Sequence, residues 1–361
     1  MNYQLKTRQV CLLIIAFTPI VKLFSMPSLL AKTANEDMWI SCLISVLLDF
    51  LTIISVIFAC RNAKASFFEL LENSLGKVLT KIVLGLFLVY FSLKAIIPIN
   101  EQREYVELTL YTLKPNLLYF LPFFVVAFYM CIKPMRVLGR AADVAWFFTL
   151  AGFLILLSLS FANTDLNALL PIGANGGAKI LSATYKSFNW FGDAAYLVFF
   201  IGNFSYRKKD GIKIALSYLL SSVIVITFMI IFYSIFTSIS HRQRFAFTEI
   251  SKYTTVINNL GRFDYIGILQ MLFSNAISLI LPLYFCTEIL IKIFNFKKRL
   301  IPAAIVIVLQ LLVVIFLRRF YYGIEKVMTE YLGVFFFVMG NLLPALSPLI
   351  TIKKEKRYAN T

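Results

Sequence analysis

The sequence predicts an all-α integral membrane protein: ten transmembrane helices in two inverted five-helix repeats, with the first and sixth helices discontinuous. Three observations lead there: the composition, the spacing of apolar stretches, and polar interruptions at corresponding places in the two halves. Of 361 residues, 60% are hydrophobic and 15% charged, with mean hydropathy +0.82. Soluble chains run at about 45–50% apolar and about 25% charged. A soluble fold of this length has too little polar surface to cover such a core, so the lipid bilayer is the expected solvent. The net charge of +17 then reads as the Lys/Arg excess of cytoplasmic loops, not as a nucleic-acid footprint. An ordinary soluble enzyme and a DNA-binding domain are both excluded, and no nucleic-acid partner is expected.

Crossing a ~30 Å hydrocarbon core takes about 20 mostly apolar residues. Ten stretches qualify: 10–31, 38–60, 80–99, 116–133, 144–161, 184–203, 212–238, 263–290, 300–318 and 331–351. The first follows Lys6 and Arg8 as a signal peptide would, but no clean small-residue cleavage site follows, so a retained helix is expected. With the N-terminus in the cytoplasm, inner segments hold about twice as many Lys and Arg as outer ones, and both termini fall inside. Residues 239–262, with four basic side chains on the outer face, run against that bias. Residues 100–113 read as an amphipathic continuation of the third span, and 162–183 as a Pro/Gly-interrupted loop. The whole chain, 1–361, is one membrane domain, with repeats at 1–161 and 184–351 joined by 162–183. Cys11, Cys42, Cys60, Cys131 and Cys286 lie in or beside apolar stretches without a CxxC, and His241 stands alone. A disulfide framework, a metal site and a cofactor are therefore not expected. Walker-type loops, GxSxG and His-based triads are missing from the sequence, so no enzyme is predicted.

Broken backbone is tolerated in a bilayer only where protein or a water-filled cavity satisfies the freed groups. The first span carries Pro19 and Pro27, each lacking a backbone donor, with Lys22 between them and Ser25 nearby. A proline kink with a snorkelling lysine is the plain alternative, but Lys22 lies midway along the span. The sixth span carries Asn189, Gly192 and Asp193, with the carboxylate near mid-span, where a charge costs roughly 2.5–3.5 kcal/mol on insertion scales. A structural Asp capping a half-helix is the plain alternative there. Two sets of five helices insert with opposite orientation, which makes the first and sixth spans equivalents. Interrupted helices at equivalent places point to a binding site at the bilayer midplane. Half-helix N-termini suit an anionic group and unwound carbonyls a cation, so Pro19, Lys22, Ser25, Asn189, Gly192 and Asp193 form a candidate site for a zwitterion such as an amino acid.

Further polar groups form stripes. Ser41, Ser45, Asp49 and Thr52 share one face of the second span; Asp49 either answers Lys22, carries protons or makes a structural interhelical bond. Tyr90, Lys94, Pro98 and Glu101 share a face of the third, with Lys94 either in a proton or counter-ion network or snorkelling to the nearby outer end. Gln270, Ser274 and Ser278 line the eighth, kinked at Pro282. Asp49, Lys94, Ser274 and Ser278 thus form a candidate proton or structural network. Gly340, Asn341, Pro344 and Pro348 mark the last span as kinked, able to gate or merely to pack.

Five segments stand out: 22–30 (KLFSMPSLL), Glu36-Asp37-Met38-Trp39, 136–143 (RVLGRAAD), Leu169-Leu170-Pro171-Ile172 with the Gly-rich stretch after it, and 188–193 (FNWFGD). In this order they resemble the B-subunit family of spore germination receptors, a branch of the amino acid–polyamine–organocation transporter superfamily. Length, span number and loop order agree along the chain. The first span lacks the Gly-x-Gly break common in the superfamily and carries prolines and Lys22 instead, leaving Lys22 as a substitute positive group. The resemblance implies five-plus-five inverted repeats and a small-molecule site among the first, third, sixth and eighth helices. It also implies a germinant ligand, often an amino acid, and partnership with an A-type membrane subunit and a C-type lipoprotein in the spore inner membrane. A proton-coupled amino acid permease is the competing expectation.

Overall fold

In the computed structural model, residues 5–63, 65–110, 120–252 and 264–351 are described, and among them the chain is helical apart from an isolated bridge between Leu5 and Phe204. The helices in order are α1 Thr7–Phe17, α2 Met26–Ala34, α3 Met38–Asn62, α4 Phe67–Leu110, α5 Leu121–Ile132, α6 Met135–Phe161, α7 Gly176–Ser187, α8 Asp193–Phe200, α9 Asp210–Phe236, α10 Ala246–Lys252, α11 Asp264–Phe294, α12 Leu300–Leu317, α13 Tyr321–Lys326, α14 Gly333–Phe337 and α15 Leu343–Ala345. Two π-helical turns, Val327–Tyr331 and Val338–Leu342, interrupt the last stretch. Seven helical stretches among the described residues are long and apolar enough to cross a membrane, and α5 is a shorter apolar helix. Together they make a multi-pass membrane protein. Leu51, Val78, Val125, Phe147 and Phe316 point outward and are well exposed, as side chains facing lipid are.

Both interruptions expected from the sequence are present. The first span divides into α1 and α2, separated by a 3-10 turn at Ile20–Lys22. Pro19 precedes that turn, while Pro27 sits in the first turn of α2, where a missing N–H costs nothing; it starts a helix instead of kinking one. The sixth span divides into α7 and α8, with residues 188–192 between them. α7 begins at Gly176, inside the 162–183 segment read as a loop, so the sixth span starts earlier than the hydropathy suggested. The reason is the loop anchor: the Asp37 carboxylate accepts N–H bonds from Gly173 (2.7 Å) and Asn175 (3.1 Å) and fixes the entry to α7.

The third span continues past residue 99, as the reading of 100–113 expected, and its added turns are more deeply buried than an amphipathic linker. α4 runs on unbroken past Pro98 to Leu110, the only non-helical backbone within it being at Gly76 (φ +78°). Asn100, Glu101, Gln102 and Arg103 are all buried, so residues 100–107 are a core helix and not a surface amphipath; 111–113 lie outside the described residues. Because α4 does not end at residue 99, Lys94 lies deep inside it, 4% exposed, and the snorkelling alternative falls.

Candidate functional site

The second span's polar stripe organises the sixth. From α3, the Ser41 hydroxyl donates to the Ile180 carbonyl (3.0 Å) and Ser45 bonds the Ser187 hydroxyl (2.7 Å). One turn on, the Asp49 carboxylate accepts the backbone N–H groups of Asp193 (3.1 Å) and Ala194 (3.4 Å) and the Tyr218 hydroxyl (3.1 Å). Asp49 therefore caps the free N-terminus of half-helix α8 from a neighbouring helix, where a negative charge is favoured. Thr52 ends the stripe on Asn341 (3.2 Å). Of the roles open to Asp49, the interhelical bond is the one seen in this structure.

Gly192 makes the break. Its φ of +94° suits glycine, and a Cβ there would stand 2.6 Å from the Tyr90 hydroxyl and 2.8 Å from the Gly340 Cα. The close approach of Gly340 explains the small residue in the last span: a Cβ at 340 would meet the Gly192 Cα at 2.9 Å. The carbonyls left open by the break are taken from α4. Lys94 donates to the Phe191 carbonyl and to the Tyr90 hydroxyl (3.2 Å), and Tyr90 donates to the Gly192 carbonyl (3.4 Å).

Lys22 bridges the two interruptions. Its ammonium donates to the Thr18 carbonyl (2.9 Å), next to the end of α1, and to the Asp193 carboxylate at the start of α8 (2.6 Å). The Phe191 ring lies 5.0 Å from the same nitrogen. Both side chains are almost wholly buried, at 2% and 5% exposure. Two lysines, Lys22 and Lys94, thus balance two carboxylates, Asp49 and Asp193, in one buried cluster. Breaking a buried pair by removing one partner costs about 3–5 kcal/mol, which holds these four side chains together.

Beside the cluster lies a cavity walled by Phe17, Val21, Trp190 and Tyr196, with Lys94, Asp193 and Ser278 as polar members and the helix-interior prolines Pro98 and Pro282 also lining it. Its volume, swept by the centre of a water-sized sphere, is about 20 Å³, near the ~10–15 Å³ that one water needs. This conformation is closed around water-sized space. The indole nitrogen of Trp190, which lines the cavity, is buried without a hydrogen-bond partner among the described residues, as are both amide atoms of Asn189 and the Thr18 hydroxyl in the two interruptions.

Both ends of the first span are tied to their neighbours. At the end predicted to face outward, α10 donates Ala246 N–H to the Phe24 carbonyl (3.1 Å) and Phe247 N–H to the Leu23 carbonyl (3.2 Å). There too Ser25 donates to Glu101. At the opposite end, Arg8 and Gln9 bond Asp143 (3.0 and 2.9 Å), Thr7 bonds Asp210 (2.6 Å), and Leu5 N–H meets the Asn203 carbonyl (3.1 Å). Gly139 is needed there, because a Cβ would stand 2.6 Å from Leu5.

Of the predicted site residues, Asp193, Lys94 and Ser278 line the cavity; Lys22 reaches it through its bond to Asp193, Gly192 shapes the break beside it, Asp49 caps α8, and Asn189 lies in the sixth interruption without lining the cavity. Pro19 acts through the backbone, its carbonyl accepting Lys22 N–H (3.1 Å). Ser25 turns away from this group toward Glu101. Ser278 reaches the Ala16 and Phe17 carbonyls (3.5 Å each) at the end of α1; the Ser274 side chain lies outside the described residues. Sequence reasoning missed Tyr218 and Tyr196, apolar-looking residues in apolar helices with no local pattern to mark them.

With the site described, comparison with known proteins can be weighed. No curated protein sequence matches the chain. Among solved structures, the crystal structure of MhsT in complex with L-phenylalanine superposes with a TM-score of 0.63 at 11% identity, covering 95% of this chain and 97% of that one. That likeness establishes a shared fold. The profile described as spore germination protein matches residues 4–322, nearly the whole chain and all the residues of the two interruptions, and on that ground the chain belongs to the spore germination protein family.

Proposed function

We propose that the protein is the transporter-like subunit of a spore germinant receptor, which binds a small germinant, an amino acid, between its two broken helices and signals germination. The observation that supports this most is the Lys22–Asp193 pair. It joins the two interruptions and is buried, and its Asp193 lines a cavity also walled by Trp190, whose indole nitrogen has no partner among the described residues. A zwitterion supplies an ammonium and a carboxylate of its own, and so competes for the partners that now hold each other. Admission requires the bundle to open, because the present cavity is water-sized. A ligand with higher affinity for the opened arrangement shifts the population toward it, and that shift is the signal passed to an A-type membrane subunit and a C-type lipoprotein. Both termini face the spore core, and the ten helices divide into inverted repeats at 1–161 and 184–351. The role is non-enzymatic.

A proton-coupled amino acid permease is the second reading. It is favoured by Lys94, a buried ammonium on the carbonyl of a broken helix, where release of a proton would loosen the break. A thermal-shift screen of the purified chain against the twenty amino acids tests binding, which stabilises the folded state by mass action. At least one amino acid is expected to raise the melting temperature in the parent protein and not in Lys22→Ala or Asp193→Ala; equal shifts in all three remove the site. Uptake of the same amino acid into vesicles with and without a pH gradient then separates sensing from transport.

A further inference from the structure

The cavity wall holds hydrogen-bonding capacity beyond the bonds of the charged cluster. Lys94 spends two of its three N–H bonds, on the Phe191 carbonyl and the Tyr90 hydroxyl. Asp193 holds Lys22 through one carboxylate oxygen, and a carboxylate has a second to offer. The indole N–H of Trp190, a residue 1% exposed, is buried without a partner among the described residues. All three residues line the same cavity. Its wall therefore presents two donors, the Lys94 ammonium and the Trp190 indole, and an acceptor, the Asp193 carboxylate.

That combination selects what binds there. The occupant must accept hydrogen bonds and donate at least one. A metal cation cannot accept from an indole N–H and would stand beside the ammonium groups of Lys22 and Lys94. An ammonium ion donates but does not accept. An inorganic anion such as chloride accepts but would stand against Asp193. Size narrows the choice further, since the volume swept by the centre of a water-sized sphere is about 20 Å³. A buried water needs ~10–15 Å³ on that measure and two to four polar partners, and both conditions are met. We propose that the cavity is a specific water-binding site, in which one ordered water accepts from Trp190 and Lys94 and donates to Asp193. The water bridges Lys94 of α4 to Asp193 across the sixth break, two opposite charges whose direct bonds go elsewhere. A bridging water is nearly as good enthalpically as a direct hydrogen bond, so it clamps the break a further time. The site stands whether or not the chain binds an amino acid. If it does, a ligand that takes this space must supply both a donor and an acceptor in the water's place.

The test labels the tryptophan indole nitrogens of the purified full chain with 15N, in detergent. There are three tryptophans, and Trp190→Phe identifies the Trp190 signal by its loss. A cross-peak between water and the Trp190 N–H is expected, of opposite sign in the rotating and laboratory frames, which separates a held water from proton exchange. Ala95→Val and Val21→Leu enlarge two residues of the wall, and either should abolish the cross-peak while the other indole signals stay in place. An experimental density map of the parent, which needs no variant to fold, should show a solvent peak within hydrogen-bond distance of Trp190 Nε1, Lys94 Nζ and the Asp193 carboxylate. A parent without the cross-peak, a cross-peak that survives both enlargements, or a map without that solvent peak overturns the site. No amino acid enters these measurements, so their failure leaves the midplane reading to its own thermal-shift screen.

Discussion

The two interruptions reach the same end by opposite means. The first, residues 18–25, largely shapes itself: Pro19 removes a donor, a 3-10 turn follows, and Lys22 folds back onto the Thr18 carbonyl of its own segment. Its remaining carbonyls, at Leu23 and Phe24, are taken by the outer helix α10. The sixth interruption, residues 188–192, hinges on Gly192 and is held almost wholly from outside. Asp49 of α3 caps the following half-helix, while Lys94 and Tyr90 of α4 take the freed carbonyls. One break is thus coupled to an outer loop and the other is clamped to two long helices. In the proposed opening, the clamped break is expected to belong to the frame and the break that carries its own cation to be the part that moves.

The largest expected effect tests the bond between them. Asp193→Ala leaves the Lys22 ammonium buried without its counter-ion, and should lower stability by about 3–5 kcal/mol. Lys22→Met/Asp193→Leu, which replaces the pair by apolar groups, should recover much of that loss. Thermal melts of the two singles and the double complete the cycle. If the double is as damaged as the sum of the singles, the pair is not what joins the two segments.

Next comes the hinge. Gly192→Ala forces a left-handed backbone on an L-residue, costing ~1–2 kcal/mol, and drives a Cβ against Tyr90 and the Gly340 backbone, costing typically ~1–3 kcal/mol more. Gly85→Ala, on the same α4 that supports the break but with open space around it, should melt unchanged or slightly higher. Equal melting temperatures for both variants would show that the sixth break does not depend on its glycine.

The clamp itself is weaker than the hinge. Lys94→Met leaves the Phe191 carbonyl without its donor, a loss of about 1–3 kcal/mol. If the sixth break is part of the frame, this variant should lose stability and still show the Lys22-dependent amino acid response. A variant of full stability that no longer responds would instead place Lys94 in the moving or proton-carrying machinery.

How much of this was legible beforehand depended on whether a feature had local chemistry to announce it. Lys22, Gly192 and Asp193 were conspicuous because an ionisable residue or a glycine–aspartate step inside an apolar run is expensive unless it has a purpose. The Ser41, Ser45, Asp49 and Thr52 stripe was visible as a helical period, and all four do face the sixth span or the last one. Ends of elements were less legible. The continuation of the third span was read from the sequence, but the burial of Asn100 to Arg103 was not, because hydropathy carries no information about distant partners such as Asn275, which donates to Gln102 (2.7 Å). The start of α7 was hidden for the same reason, since it is set by Asp37, well over a hundred residues away.

The smallest effect examines the mobile side of the comparison. Ser278 reaches the last carbonyls of α1 only at 3.5 Å, the long limit of a hydrogen bond. Ser278→Ala should therefore cost less than about 1 kcal/mol in global stability. Its local consequence is more telling. Amides 18–25, Ala246 and Phe247 share hydrogen bonds across the first break and should exchange as one cooperative unit, below the protection of amides 193–197, which Asp49 anchors. Ser278→Ala should speed exchange in the first unit severalfold and leave the second unchanged, as read by hydrogen exchange and mass spectrometry. Equal acceleration at both breaks would mean that they open together, and that the division into frame and moving part is mistaken.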